Sequence, residues 1–157
     1  MADWTQEQWQ ELYQGLIRRS NTPGHFTSDL GLVVTNIDHF LAEAEITPDQ
    51  RVCNPRGILH GGALYTLLDH MAGLAACTTG RGCVTLDTSV NYLRSVPAGK
   101  KLTVRAEVVK PGSNIVVCTA SVFGPDGKEL ARGSFTYFML EELNDTLRLC
   151  SEVANHR

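Results

Sequence analysis

Apolar and polar positions alternate along this chain in two rhythms, and the changes of rhythm divide it into elements. Residues 4–19 (WTQEQWQELYQGLIRR) place Trp4, Leu12 and Leu16, with Trp9, at helical spacing. Asn21-Thr22-Pro23-Gly24 then breaks the helix. Residues 30–35 (LGLVVT) and 39–47 (HFLAEAEIT) predict two strands, with Asn36-Ile37-Asp38 as the turn between them. Residues 48–60 carry Pro48, Pro55 and Gly57 and predict a loop. From Gly61 to about Thr79 the chain is rich in Ala, Leu and Met, which favours a helix. Its apolar positions, among them Leu64, Leu67, Leu68, Met71 and Leu74, cover most of the helix circumference, the mark of a buried helix. Gly80 and Gly82 end it. Four strand-like runs follow at 83–93, 101–110, 114–123 and 129–139, separated by Pro/Gly turns. The tail, 141–157, is polar and predicts at most a short helix.

The order is helix, two strands, one buried helix, four strands. One long helix against one antiparallel sheet is an α+β plan. A sheet wrapped around a single helix leaves outer edges that must be covered or paired, so association through the sheet is expected.

Composition narrows the function. The 157 residues fit one domain, 1–157, and 43% apolar content supports a full core. Charged residues are only 20%, which excludes a disordered chain, and the net charge of −3 argues against a general nucleic-acid binder. The five cysteines, Cys53, Cys77, Cys83, Cys118 and Cys150, are odd in number and form no CxxC pair, a pattern suited to a reducing compartment. The first residues are polar and acidic, unlike a signal or transit peptide. No apolar run reaches the roughly 18 residues of a spanning helix. A soluble, cytoplasmic protein without membrane or nucleic-acid partners is expected.

The chemistry concentrates between Asn54 and Asp69 (NPRGILHGGALYTLLD). Gly61 and Gly62 begin the buried helix, where N–H groups lack internal partners and the helix dipole is positive. Without Cβ atoms they admit a ligand close to the backbone, so this is a place for an anion or an oxyanion; the alternative is a glycine pair that only permits tight packing. Asp69 stands in an otherwise apolar run beside His70. A carboxylate there is paired, functional, or on a narrow solvated stripe. Gly61 and Asp69 are eight residues apart, about 12 Å along one helix. One substrate carbonyl cannot reach both, whereas two antiparallel copies bring one helix start to the other's Asp69. His60 and Asn54 can orient a carbonyl or a water, or merely satisfy loop backbone. Thr85 can donate to a carboxylate or be a plain strand residue, with Asp87 as its rival. Arg94, Lys101, Arg105 and Lys110, with Lys100, form a local cationic stretch that suits a phosphorylated ligand or is only a solvated face.

The segment NPRGILHGGALYTLLD resembles the helix-start motif of hotdog thioesterases of the phenylacetyl-CoA thioesterase-like (PaaI-like) group: Asn, six residues to His, Gly-Gly, then Asp eight residues after the first Gly. The resemblance extends over roughly residues 26–140. It implies a hotdog fold, an acyl-CoA substrate, no cofactor and no metal, and a homodimer or a homotetramer built as a dimer of dimers. It implies Asp69 as general base or nucleophile, the Gly61 N–H as oxyanion donor, and His60, Asn54 and Thr85 as supporting polar groups. Arg94, Lys101, Arg105 and Lys110 would meet the CoA phosphates. The alternatives on the same fold are a non-catalytic acyl-CoA binding or sensing protein and a hotdog hydratase. A metal site from His60, Asp69 and His70 matches no common ligand spacing.

Overall fold

In a computed structural model, which describes residues 4–142, the chain folds as helix α1 (Gln6–Ser20), a short helix α2 (Phe26–Asp29), strands β1 (Val33–Asp38) and β2 (Leu41–Ile46), a single 3₁₀ turn, the long helix α3 (Gly61–Cys77), and strands β3 (Arg81–Tyr92), β4 (Leu102–Lys110), β5 (Ile115–Phe123) and β6 (Glu129–Glu142). The strands form one antiparallel sheet in the order β1-β2-β4-β5-β6-β3. The α+β expectation of a sheet wrapped around one central helix is met.

Alternation builds the inner face. Leu102, Val104 and Ala106 of β4, and Val116, Cys118, Ala120 and Val122 of β5, are buried at every second position. Ala42, Ala106, Ala120 and Gly133 stand in register across four adjacent strands, a row of small residues on that face. A Cβ on Gly133 would come within 2.5 Å of the Phe135 ring, so only glycine lets that buried ring lie flat on its own strand. Against this face α3 buries Leu64, Leu67, Leu68, Met71 and Ala72. Each fully buried Leu or Met contributes about 1.5–3 kcal/mol of transfer free energy.

Four boundaries differ from expectation. Asn36-Ile37-Asp38 is not a turn but the end of β1; the chain reverses at His39-Phe40, where Phe40 adopts φ 62° and His39 stacks on its ring. Residues Leu30-Gly31-Leu32 are a turn after α2 rather than the start of a strand. Gly82 lies within β3, so Gly80 alone punctuates the end of α3, and β6 runs on to Glu142. The tail beyond residue 142 lies outside the described residues.

The two sheet edges are treated differently. At β1, the Asn21 carboxamide that follows α1 accepts from the Val34 N–H at 2.8 Å and donates to its carbonyl at 2.9 Å, pairing with the edge as a strand would. At β3, no strand of the described residues lies on the outer side. Close to that edge Ile115, Phe138 and Val84 stand in register and are 39%, 43% and 47% exposed. That is a continuous apolar strip facing solvent.

Candidate active site

Asp69 sits midway along α3 and is half-buried. Two strands reach it. Thr85 of β3 and Tyr137 of β6 are register partners, so their side chains leave the sheet side by side. The Thr85 hydroxyl donates to Asp69 Oδ1 at 3.0 Å. The Tyr137 hydroxyl lies 3.0 Å from the same Oδ1 and 2.7 Å from the Asp69 backbone carbonyl, sharing one proton between them. Burial, then the Asp69 charge and its hydrogen bond, push the Tyr137 hydroxyl far above its ordinary value, so it remains a donor. A β-bulge between Thr85 and Asp87 follows at once, and Asp87 lies exposed opposite Thr136. Thr85, not its rival, faces the carboxylate.

Tyr137 was not singled out from the sequence. Its signal was present: the run ARGSFTYFM alternates, which puts Ala131, Phe135, Tyr137 and Met139 on the inner face. A buried tyrosine hydroxyl needs a polar partner, and Asp69 is the only carboxylate of α3.

Asp69 opens on a cavity of about 670 Å³ between α1–α2, α3 and the start of β3. Leu16, Phe26, Tyr65 and Leu74 supply its apolar wall. His70 lines it too; burial holds its imidazole below the ordinary value against the opposing pull of Asp69, and its Nε2 has no hydrogen-bond partner among the described residues. A volume of this order suits a small organic group.

At the other end of α3, His60 is the N-cap. Its Nδ1 accepts from the Gly62 N–H at 2.9 Å, which leaves the ring proton on Nε2 as an outward donor. The Gly61 N–H has no acceptor among the described residues. Tyr92, also missed from the sequence, donates to the Gly61 carbonyl at 3.1 Å, and its ring lies 3.5 Å from where a Gly61 Cβ would stand. The helix start is thereby held with the Gly61 N–H free. Asn54 proves to be a turn residue in part: its Oδ1 accepts from the Arg56 and Ile58 N–H groups at 2.9 and 3.4 Å, leaving its amide NH₂ for another partner. Within one chain His60, Gly61 and Asn54 cluster at one end of α3, while Asp69, Thr85 and Tyr137 cluster at its middle.

The cationic stretch is not a free basic patch. Lys101 pairs with Glu45 at 2.8 Å, and Arg105 bridges Glu43 at 2.9 Å and Glu107 at 2.6 Å. The two β2 acids lie more than fifty residues away in sequence, so a local charge count does not see them. Arg105 and Lys101 are exposed, and Leu102, Val104 and Ala106 between and beside them face α3, so the two cations project from the opposite side of the sheet to Asp69. Arg94 donates to the Glu129 backbone carbonyl, and neither Arg94 nor Lys110 has a carboxylate partner among the described residues. No group of three His, Cys, Asp or Glu side chains able to hold a metal ion occurs among the described residues, and none of their helices is long and apolar enough to cross a membrane.

Comparison with known proteins gives the chain's family and fold. Residues 56–131 match the family model of the thioesterase superfamily, a span that includes His60, Gly61, Asp69 and Thr85 and stops short of Tyr137. A Haemophilus influenzae protein assigned as an esterase is 37% identical over 93 residues, covering 57% of this chain and 67% of that protein. Human acyl-coenzyme A thioesterase 13 is 28% identical over 95 residues, covering 59% and 68%. The structure of E. coli PaaI, from the phenylacetic acid degradation operon, superposes with a TM-score of 0.76 at 21% identity, covering 83% of this chain and 97% of that one. The chain belongs to the thioesterase superfamily, carries its PaaI-like hotdog fold, and is a thioester hydrolase.

Proposed function

We propose that this protein hydrolyses acyl-CoA thioesters to the free acid and CoA, in a site shared by two chains. The observation that carries the reading is the Asp69 carboxylate, held by Thr85 and Tyr137 at the wall of a largely apolar cavity. In this reading the acyl group occupies that cavity and the thioester carbonyl lies at its mouth. Asp69 either takes a proton from the attacking water as general base or attacks the carbonyl itself as nucleophile. The carbonyl oxygen, as it becomes an oxyanion, accepts from the Gly61 N–H at the positive end of α3, with His60 Nε2–H and the Asn54 amide beside it. The C–S bond then breaks and CoA leaves as the thiolate.

The dimer follows from distance. About 12 Å of helix separates Gly61 from Asp69, so the donors and the carboxylate that meet one carbonyl come from different chains. The unpaired β3 edge and the apolar strip of Ile115, Phe138 and Val84 support association there. A homotetramer formed as a dimer of such dimers, working in the cytoplasm, completes the proposal. Free CoA released from a panel of acyl-CoA esters, read with a thiol reagent, tests it: turnover with at least one ester is expected, and its absence across aromatic, short and medium chains would refute it.

Two substitutions probe the parts. Tyr137→Phe removes a donor to Asp69 and leaves Thr85 in place. Hydrogen bonds to charged groups are worth about 1.5–3 kcal/mol, so kcat is expected to fall roughly tenfold or more while the far-UV circular dichroism stays unchanged. For the CoA phosphates, Arg94 and Lys110 are the candidates, since neither has a carboxylate partner among the described residues, whereas Lys101 and Arg105 are engaged with acids. Arg94→Ala is therefore expected to raise KM for acyl-CoA about threefold or more with little change in kcat, since phosphate contacts bind substrate and transition state alike. The corresponding acyl-pantetheine, which lacks the nucleotide, should be insensitive to it. Arg105→Ala should change neither constant more than about twofold.

A further inference from the structure

Cys77 and Cys83 meet where α3 ends and β3 begins. Their sulfurs lie 3.8 Å apart, and both line the cavity that contains Asp69. Both are half-buried, so a small solute that enters the cavity reaches them. Cys83 Sγ also lies 3.6 Å from the Gly73 carbonyl, one helical turn beyond Asp69. Neither thiol has a part in the hydrolysis described above. Cys118 is fully buried, and Cys53 stands apart on the 48–60 loop, its thiol directed to the Asp49 carbonyl at 3.3 Å.

We propose that Cys77 and Cys83 are a modification site: a paired thiol in the cavity wall that a hydroperoxide oxidises to an internal disulfide, slowing hydrolysis at Asp69. The sulfurs need to approach by less than about 2 Å to reach bonding distance, a movement within the reach of side-chain rotation. Cys77 is the first to react. Pairing with Cys83 holds the Cys77 thiol below its ordinary value, while the same pairing and burial push Cys83 up. The Cys77 thiolate attacks one oxygen of hydrogen peroxide, the O–O bond breaks, and the sulfur becomes a sulfenic acid while the departing hydroxide takes up the proton the Cys77 thiol released and leaves as water. Cys83 then attacks that sulfur, forming the S–S bond, and its proton leaves with the displaced hydroxide as a second water. The two sulfurs lose two electrons and the peroxide gains them.

The consequence for the site runs along β3. Cys83 and Thr85 are two residues apart on one strand and leave it on the same face. Drawing Cys83 toward Cys77 displaces Thr85 from Asp69 and withdraws the thiol donor from Gly73. Because a displacement of about 1 Å at a reacting group can cost up to roughly a hundredfold, the oxidised form is expected to turn over about tenfold more slowly or worse.

The effect on hydrolysis rests on the proposed function, but the bond itself is read by mass alone. The full chain is treated with hydrogen peroxide, free thiols are blocked, and the protein is digested with trypsin. Cleavage after Arg81 separates the two cysteines into the peptides 57–81 and 82–94, so the disulfide appears as a linked pair two hydrogens lighter than their sum. The expected result is this pair in the wild type, with turnover that falls on oxidation and returns with dithiothreitol. Cys77→Ser and Cys83→Ser, each compared with its own untreated sample, should lose the peroxide response. Cys77 and Cys83 both recovered as blocked thiols, linkage to other cysteines instead, or a linked pair with undiminished turnover would each overturn the proposal.

Discussion

Asp69→Asn is expected to lower kcat for acyl-CoA hydrolysis by roughly 10²-fold or more, with unchanged oligomer size and thermal unfolding. Asn keeps the shape of the side chain and can still accept from Thr85 and Tyr137 through its amide oxygen. What disappears is the charge and the second carboxylate oxygen, Oδ2, which takes no hydrogen bond among the described residues and is the atom left to act on water or on the carbonyl. KM should move little, because the acyl group rests on the cavity walls. Steady-state kinetics on a turned-over ester, with size-exclusion chromatography of the same sample, make the check. Near-normal turnover would remove Asp69 from the chemistry. A comparable loss from Thr85→Ala alone would mean that positioning the carboxylate matters as much as its charge.

The parts of this molecule that were legible in the sequence are those where one face repeats without interruption. β4 and β5 agree with expectation to within a residue, since Leu102-Val104-Ala106 and Val116-Cys118-Ala120-Val122 alternate over their whole length. The start of α3 was fixed by Gly61-Gly62 and its burial by its composition. β1 was misread for a local reason. A bulge between Val34 and Asn36 inserts one residue, so the two core positions, Val34 and Ile37, stand three apart and no period of two survives. The short α2 has only four residues, too few to display a period.

At the site, Asp69 and Thr85 were legible and meet at 3.0 Å. Asp69 betrayed itself as a charge in an apolar helix. Tyr137 was not legible in the same way, because its role depends on β6 pairing with β3, a contact across more than fifty residues. The same range explains the basic stretch. Lys101 and Arg105 looked free beside Glu107 alone until β2 placed Glu43 and Glu45 against them. Side-chain partners set by strand order are invisible to a window moved along the chain.

The shared site has the largest expected gain of activity, and mixing two inactive variants reads it directly. One chain carries Asp69→Ala, which removes the carboxylate but leaves the helix start. The other carries Asn54→Ala and His60→Ala together, which strips the helix start but leaves Asp69, Thr85 and Tyr137. Each homodimer then holds two damaged sites. In a mixed dimer one site collects both lesions and the other collects none, because a two-fold axis pairs each helix start with the partner's carboxylate. The measurement is CoA release after the two variants, differently tagged, have been unfolded together and refolded. With random equal mixing, half the dimers are mixed and each has one intact site of two, so activity is expected to rise from near zero to roughly a quarter of wild type. If the two tags co-purify, showing that mixed dimers have formed, and activity stays at the level of the separate variants, the helix start and Asp69 act within one chain and the shared-site account is wrong.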